Sequence, residues 1–394
     1  MKKVICLLLC LVIILSATGC SYHVPEPMQY PDYTFDSEPD AMQLRMMAVQ
    51  AMRDILCIQW CTENEIRYRK NGPVNKKEFV HAPGNTYAGL LYSTANTGIF
   101  QFFEYYNSET GCLEYPGTSD ELKLELGSSC ADALLWGWSA VCNSITGGFY
   151  PVMMVSSNGY RIVGDYTYNQ NVRSYNEMPS YAIIENNPKE TIMDAYAKTL
   201  PADALVSTSD NHAMMVIEAP VVTYFADGSI DSANSYLTIQ DQRAGGSSSF
   251  SEVVKGQTIA YSGRISAQYT FDKLYEQDYV PVTVAEFTGE KAYDKASVTV
   301  SNPDCSSLSE LAELTVEANY PLAVINLLSV DAQGNKTILK KAMFGGGAIQ
   351  GPPRTYKLSE MKGLENISPE ANTTIQLEVV VSTGERFYPI EFTA

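Results

Sequence analysis

Histidine is almost absent from this chain: three occur in 394 residues, beside three tryptophans and nine cysteines. Chemistry that needs an imidazole must therefore draw on His23, His81 or His212. Basic residues are also few. Lys and Arg number 27 against 45 Asp and Glu, a net charge of −18, which argues against a nucleic-acid partner and against a basic patch for anionic lipid or wall polymer. Beyond residue 15 no apolar run approaches the ~20 residues of a membrane span. Paired Cys and His clusters at zinc spacing are missing, so neither metal nor cofactor is expected.

What is present begins with Met1-Lys2-Lys3, an apolar run from Val4 to Leu15, and Ser16-Ala17-Thr18-Gly19-Cys20. This reads as an export signal with small residues before a cysteine, and it resembles the lipobox of bacterial lipoproteins. The resemblance implies cleavage after residue 19, lipid on Cys20, and a chain anchored to the outer face of the cytoplasmic membrane. Loss of Lys2 and Lys3 would bring the net charge to about −20. Residues 20–36, with Pro25, Pro27 and Pro31, read as a spacer.

Six cysteines follow Cys20: Cys57, Cys61, Cys112, Cys130, Cys142 and Cys305. Cys57 and Cys61 are one helical turn apart, a poor geometry for a bond. One or two bridges are expected, with the pairing open.

Ser37-Glu38-Pro39-Asp40 predicts a helix start, with Met42, Leu44, Met46, Met47, Val49, Met52, Ile55 and Leu56 as its apolar face. A second helix opens at Cys130. Tyr150–Val155 and Tyr160–Tyr168 read as a hairpin, and Asn187-Pro188 opens a short helix. Strands are predicted at 204–207, 212–225 and 236–242, so residues 37–290 form an α+β unit. From 291 to 394 short strand candidates at 296–300, 311–316, 323–330, 336–344, 375–381 and 387–392 predict a β-sandwich, similar in size to an immunoglobulin-like domain.

The chemistry centres on Leu126-Gly127-Ser128-Ser129-Cys130-Ala131-Asp132. Ser129 and Asp132 fit the opening of a helix, which places the Cys130 thiol at a positive dipole end that favours thiolate. A cysteine nucleophile needs a base and a group to orient it. His212, opening a strong strand after a polar loop, is the candidate base; His23 falls in the spacer and His81 in an upstream loop. In Tyr236–Gln242, alternation puts Asp241 on one face and Gln240 on the other, and either could orient the ring.

The combination resembles the papain-like cysteine peptidases, and within them the NlpC/P60 cell-wall endopeptidases. Cys130, His212 and Asp241 follow the family order, Ala202-Asp203-Ala204-Leu205-Val206 is similar to its Gly-Asp-Leu-Val stretch, and His212-Ala213-Met214-Met215-Val216 to its His-Val-Gly-Ile segment. Tyr87-Ala88-Gly89-Leu90-Leu91-Tyr92 looks like the tyrosine-glycine element that lines the family site, the role passing to Tyr92 with Tyr87 as alternative. The chain departs from the family at the nucleophile itself, where Ser129-Cys130-Ala131-Asp132 replaces Asp-Cys-Ser-Gly. The resemblance implies a papain-like fold and hydrolysis of peptidoglycan stem peptides. The alternative is a binding lipoprotein that keeps the scaffold without turnover, with the sandwich as contact module for an unknown partner.

Overall fold

The computed structural model describes residues 27–69, 78–146, 159–168, 179–243, 251–254, 257–346, 351–370 and 372–394. The export signal, Cys20, His23 and the strand expected at 150–155 lie outside them. The architecture is mixed α+β with antiparallel sheets.

Helix α1 (Ala41–Cys57) starts where Asp40 accepts the Gln43 N–H at 2.8 Å and Gln43 accepts the Asp40 N–H at 2.8 Å. Each side chain thus satisfies a backbone donor left over at the helix end. Leu44, Ala48, Val49, Met52, Ile55 and Leu56 are buried, whereas Met42 and Met46, expected in the core, are nearly half exposed. They fall on the opposite side of the helix, so their place is set by period rather than by apolar character. Helix α2 (Cys130–Ser139) is buried along its whole length and packs on α1. The approach is close at Gly137, where a Cβ would stand 2.8 Å from the Met52 Cβ.

Both helices pack on one six-stranded sheet made of β1 (Tyr160–Ile162), β2 (Ala204–Ser207), β3 (His212–Val216), β4 (Tyr236–Gln242), β5 (Gly263–Thr270) and β6 (Val280–Val284). The order is β5-β4-β3-β2-β6-β1, with antiparallel neighbours throughout. The strand expected to reach Phe225 stops at Val216, and Val221, Tyr224 and Phe225 are exposed. Beyond Val216, pairing with β4 continues only through the Ile217 N–H to the Thr238 carbonyl and a single bridge between Val221 and Tyr236. Arg45 of α1 reaches under the sheet to Asp203 at 2.7 Å and the Pro201 carbonyl at 2.8 Å, both partners buried. The Asp203 of the motif leading into β2 is thereby a structural ion pair.

The C-terminal unit has β7 (Val298–Val300), β8 (Thr315–Ala318), β9 (Leu322–Val330), β10 (Lys336–Met343), β11 (Thr355–Lys357), β12 (Thr374–Val381) and β13 (Arg386–Thr393) in two sheets, ordered β7-β8-β11 and β10-β9-β12-β13. The strand expected at 311–316 is divided. Ser307 accepts the Glu310 N–H and starts a short helix, Leu308–Ala312, before β8 begins. Ile325, Leu327, Val379 and Val381 join a core of their own, while Ala323, Val324 and Val380 join the core of the first unit. The two units therefore share an apolar interface, with Ser382 Oγ donating to the Ser139 carbonyl at the end of α2, 2.5 Å away.

Part of the segment read as a spacer is docked into this junction. The Tyr33 N–H donates to the Thr383 carbonyl at 2.9 Å, its hydroxyl donates to Asp54 at 3.0 Å, and the Arg386 guanidinium lies 4.2 Å from the Tyr30 ring centre. Tyr30 and Tyr33 supply the apolar area that composition alone assigned to a linker. Among the described residues no helix is long and apolar enough to cross a membrane.

Candidate active site

Cys130 is the first residue of α2, as its sequence context predicts. The Ser129 N–H and hydroxyl donate to Asp132 at 3.0 and 2.5 Å, closing the first turn around the thiol. The turn before it, Gly127-Ser128, pairs with the Leu91–Ser93 segment through the Ser128 N–H to the Leu91 carbonyl at 2.9 Å. Gly127 has a φ of +108°, and a Cβ there would meet the Leu91 oxygen at 2.4 Å. Only glycine allows this approach, and the pairing brings Tyr92 to the mouth of the helix.

Across from the helix, His212 opens β3 after a turn in which Asn211 takes a left-handed φ of 48°. Asparagine tolerates that conformation, and its carbonyl lies 3.9 Å from the Cys130 sulfur. His212 Nε2 is 2.7 Å from Asp241 Oδ2 on the neighbouring strand. With Nε2 engaged, Nδ1 is the nitrogen left for the thiol. Cys130, His212 and Asp241, the last two separated by 29 positions, thus come together as the sequence order suggests.

Charge follows from this geometry. Burial pushes the Cys130 thiol up, but the His212 charge and hydrogen bond, with the Ala213 N–H, bring it below the ordinary value. Burial works against a charged His212, yet Cys130 and Asp241 outweigh it and raise the ring to about 10. Burial likewise opposes ionised Asp241, and hydrogen bonds from His212 and Arg264 hold it at about 2. The two shifts act together, both favouring a thiolate beside an imidazolium over the neutral pair.

The two alternatives left open by sequence are now distinguished. Gln240 turns away and donates to the Val49 carbonyl on α1 at 2.9 Å, so it does not orient the ring. Tyr87 is not in the site either: its hydroxyl accepts the Ala82 N–H at 2.6 Å inside a cluster with Trp60 and His81. Tyr92 is. Its hydroxyl interacts with both the sulfur and the backbone N–H of Cys130, and burial together with that thiolate raises its pKa. The Cys130 N–H at the start of α2 is thus engaged by the Tyr92 hydroxyl. His81 is a core residue, held down at about 4 by burial.

Sequence reasoning missed Arg264, Arg243 and Gln242. Arg264 donates to both Asp241 oxygens at 2.9 and 2.7 Å, and Arg243 Nε is 3.0 Å from Oδ2. Gln242 accepts the Ser128 hydroxyl at 2.5 Å and donates to the Leu90 carbonyl at 2.9 Å. No short-range signal marks them, because every partner but Arg243's lies on a distant segment.

A disulfide joins Cys61 to Cys112, while Cys130, Cys142 and Cys305 are free thiols. A cavity of about 490 Å³ lined by Thr62, Glu65, Leu113, Glu114 and Tyr115 adjoins this bridge and contains none of the three site residues. Among the described residues no group of three or more His, Cys, Asp or Glu is placed to hold a metal ion. Comparison of the chain with family models, curated proteins and solved structures gives no match.

Proposed function

We propose that this chain is a cysteine peptidase or amidase of papain-like type, with Cys130 as nucleophile, His212 as acid and base, and Asp241 as the group that orients the ring. One observation carries the reading: the thiol meets a ring whose other nitrogen is 2.7 Å from a buried carboxylate. A structural cysteine in an apolar helix needs no such partners.

In this mechanism the Cys130 thiolate attacks a peptide carbonyl carbon and the carbonyl electron pair moves to oxygen. The Tyr92 hydroxyl, polarised by the Cys130 N–H, donates to that oxyanion. His212 gives its proton to the departing amine as the C–N bond breaks, leaving a thioester. Water then attacks the thioester, its proton passing to His212, and the carboxylic acid leaves with thiolate restored. Asp241 stays ionised throughout and stabilises the imidazolium.

The resemblance to the NlpC/P60 endopeptidases supports stem peptides of peptidoglycan as substrate. The lipobox-like sequence at Cys20 supports anchoring at the outer membrane face, where those peptides lie, and the C-terminal unit supports an immunoglobulin-like sandwich. A thiol-directed activity probe tests the reading. Rapid labelling of the wild type, lost in Cys130→Ala and slowed in His212→Ala, is expected, with release of fragments from purified wall. Labelling that ignores Cys130, with no fragments, would leave a binding lipoprotein on the same scaffold. Incorporation of radiolabelled fatty acid that survives Cys20→Ala would refute the anchor.

A further inference from the structure

We infer that Arg264 is a positioning residue for His212, acting through Asp241, whose two oxygens it grips so that one fixed lone pair faces the ring. This rests on the catalytic reading above. The contact depends on a break in the sheet. Ile239 of β4 pairs with Ala267 of β5, and regular pairing would then bring Ile265 opposite Asp241. The register slips there by one residue, and Arg264 faces Asp241 instead.

The fork is bidentate, Nε to Oδ1 at 2.9 Å and Nη2 to Oδ2 at 2.7 Å, and Asp241 is fully buried. A planar guanidinium bound this way fixes the carboxylate plane, which a single ammonium cannot do. Arg264 itself is steadied by the Tyr269 ring, 5.1 Å from its central carbon. Charge gives the fork a second effect. An Asp241 compensated by Arg264 and Arg243 holds the imidazolium less tightly than a lone carboxylate would, so His212 can still pass its proton to a leaving amine.

The groups that act on the ring are Cys130 from α2 and Asp241 from β4; Cys130 in turn faces Asp132, Tyr92 and Tyr279, the last bonded to Asp210, and Asp241 faces Arg264 from β5 and Arg243 just past the end of β4. Of these, Arg264 is the cation that contacts both Asp241 oxygens.

The test uses the full chain and the pH dependence of Cys130 alkylation by iodoacetamide, with kcat and KM on wall-derived peptides and a thermal midpoint to verify folding. Arg264→Gln is expected to move the alkaline limb, where the imidazolium is lost, to higher pH and to lower kcat about tenfold at unchanged KM. Arg264→Lys keeps the charge, so its limb stays in place while kcat still falls. Should Arg264→Gln not fold, the Lys variant carries the test alone. A wild-type alkylation profile and kcat in a folded Arg264 variant overturn the inference, as does a loss confined to thermal stability. If the wild type alkylates selectively at Cys130 but cleaves no peptide, the substrate assignment fails and the limb shift still decides the role of Arg264. If Cys130 is not selectively reactive, the catalytic reading and this inference fall together.

Discussion

Gln242 accepts the Ser128 hydroxyl at 2.5 Å, and so ties the strand that holds Asp241 to the turn that holds Cys130. Its amide also donates to the Leu90 carbonyl at 2.9 Å, on the segment leading to Tyr92. One buried side chain therefore joins three of the pieces on which the site depends. Gln242→Leu strands the Ser128 hydroxyl and the Leu90 oxygen, and should cost about 2 kcal/mol in urea unfolding. Alkylation of Cys130 should slow with it. An unchanged urea midpoint would show that water replaces the amide.

Asp241 sets the acid limit of the fold. Its native value of about 2 lies below the ordinary 3.8, so its stabilisation is complete above the unfolded value and lost as pH falls through about 2. The effect is on the order of 2 kcal/mol. His212 has the opposite sign: raised from 6.5 to about 10, its contribution is complete below 6.5 and lost as pH rises through about 10. Denaturant midpoints measured across pH should fall at both ends. Asp241→Asn should flatten the acid fall and His212→Ala the alkaline one.

Gly137 lets α1 and α2 touch. A Cβ there would stand 2.8 Å from the Met52 Cβ and 3.2 Å from the Ala48 oxygen, so Gly137→Val forces the helices apart. The expected loss is about 1–3 kcal/mol, read as a lower melting temperature. Because α2 carries Cys130, probe labelling at that thiol should slow as well.

The Cys61–Cys112 bridge closes a loop of sequence separation 51. Constraint of the unfolded chain by a loop of that size is worth about 2–4 kcal/mol. Dithiothreitol, or Cys61→Ala with Cys112→Ala, should lower the melting temperature accordingly. Equal melting with and without reductant would count against the pairing.

Much of the site was legible because its signals are short. Ser129 and Asp132 mark a helix start within one turn, and three histidines leave little choice of base. Strand alternation separated Asp241 from Gln240 before any partner was known. Boundaries were less legible: the strand opening at His212 ends at Val216 rather than Phe225, and Met42 and Met46 face outward despite their apolar side chains. The docked Tyr30 and Tyr33 were indistinguishable from linker because their partners, Phe100, Asp54 and Thr383, belong to other elements.

By itself, then, the sequence pointed to a thiol opening an apolar helix, to His212 as the histidine placed to meet it, and to an antiparallel sheet following. Those outcomes depend on caps and periods contained in about ten residues. Only the tertiary structure decided that Asp241 rather than Gln240 meets the ring, that Tyr92 rather than Tyr87 meets the sulfur, that Cys61 bonds Cys112, and that Arg264 backs the carboxylate. Each of these turns on strand pairing, a register slip or helix packing between segments distant in the chain, and no local pattern encodes which of two neighbouring residues will face inward there.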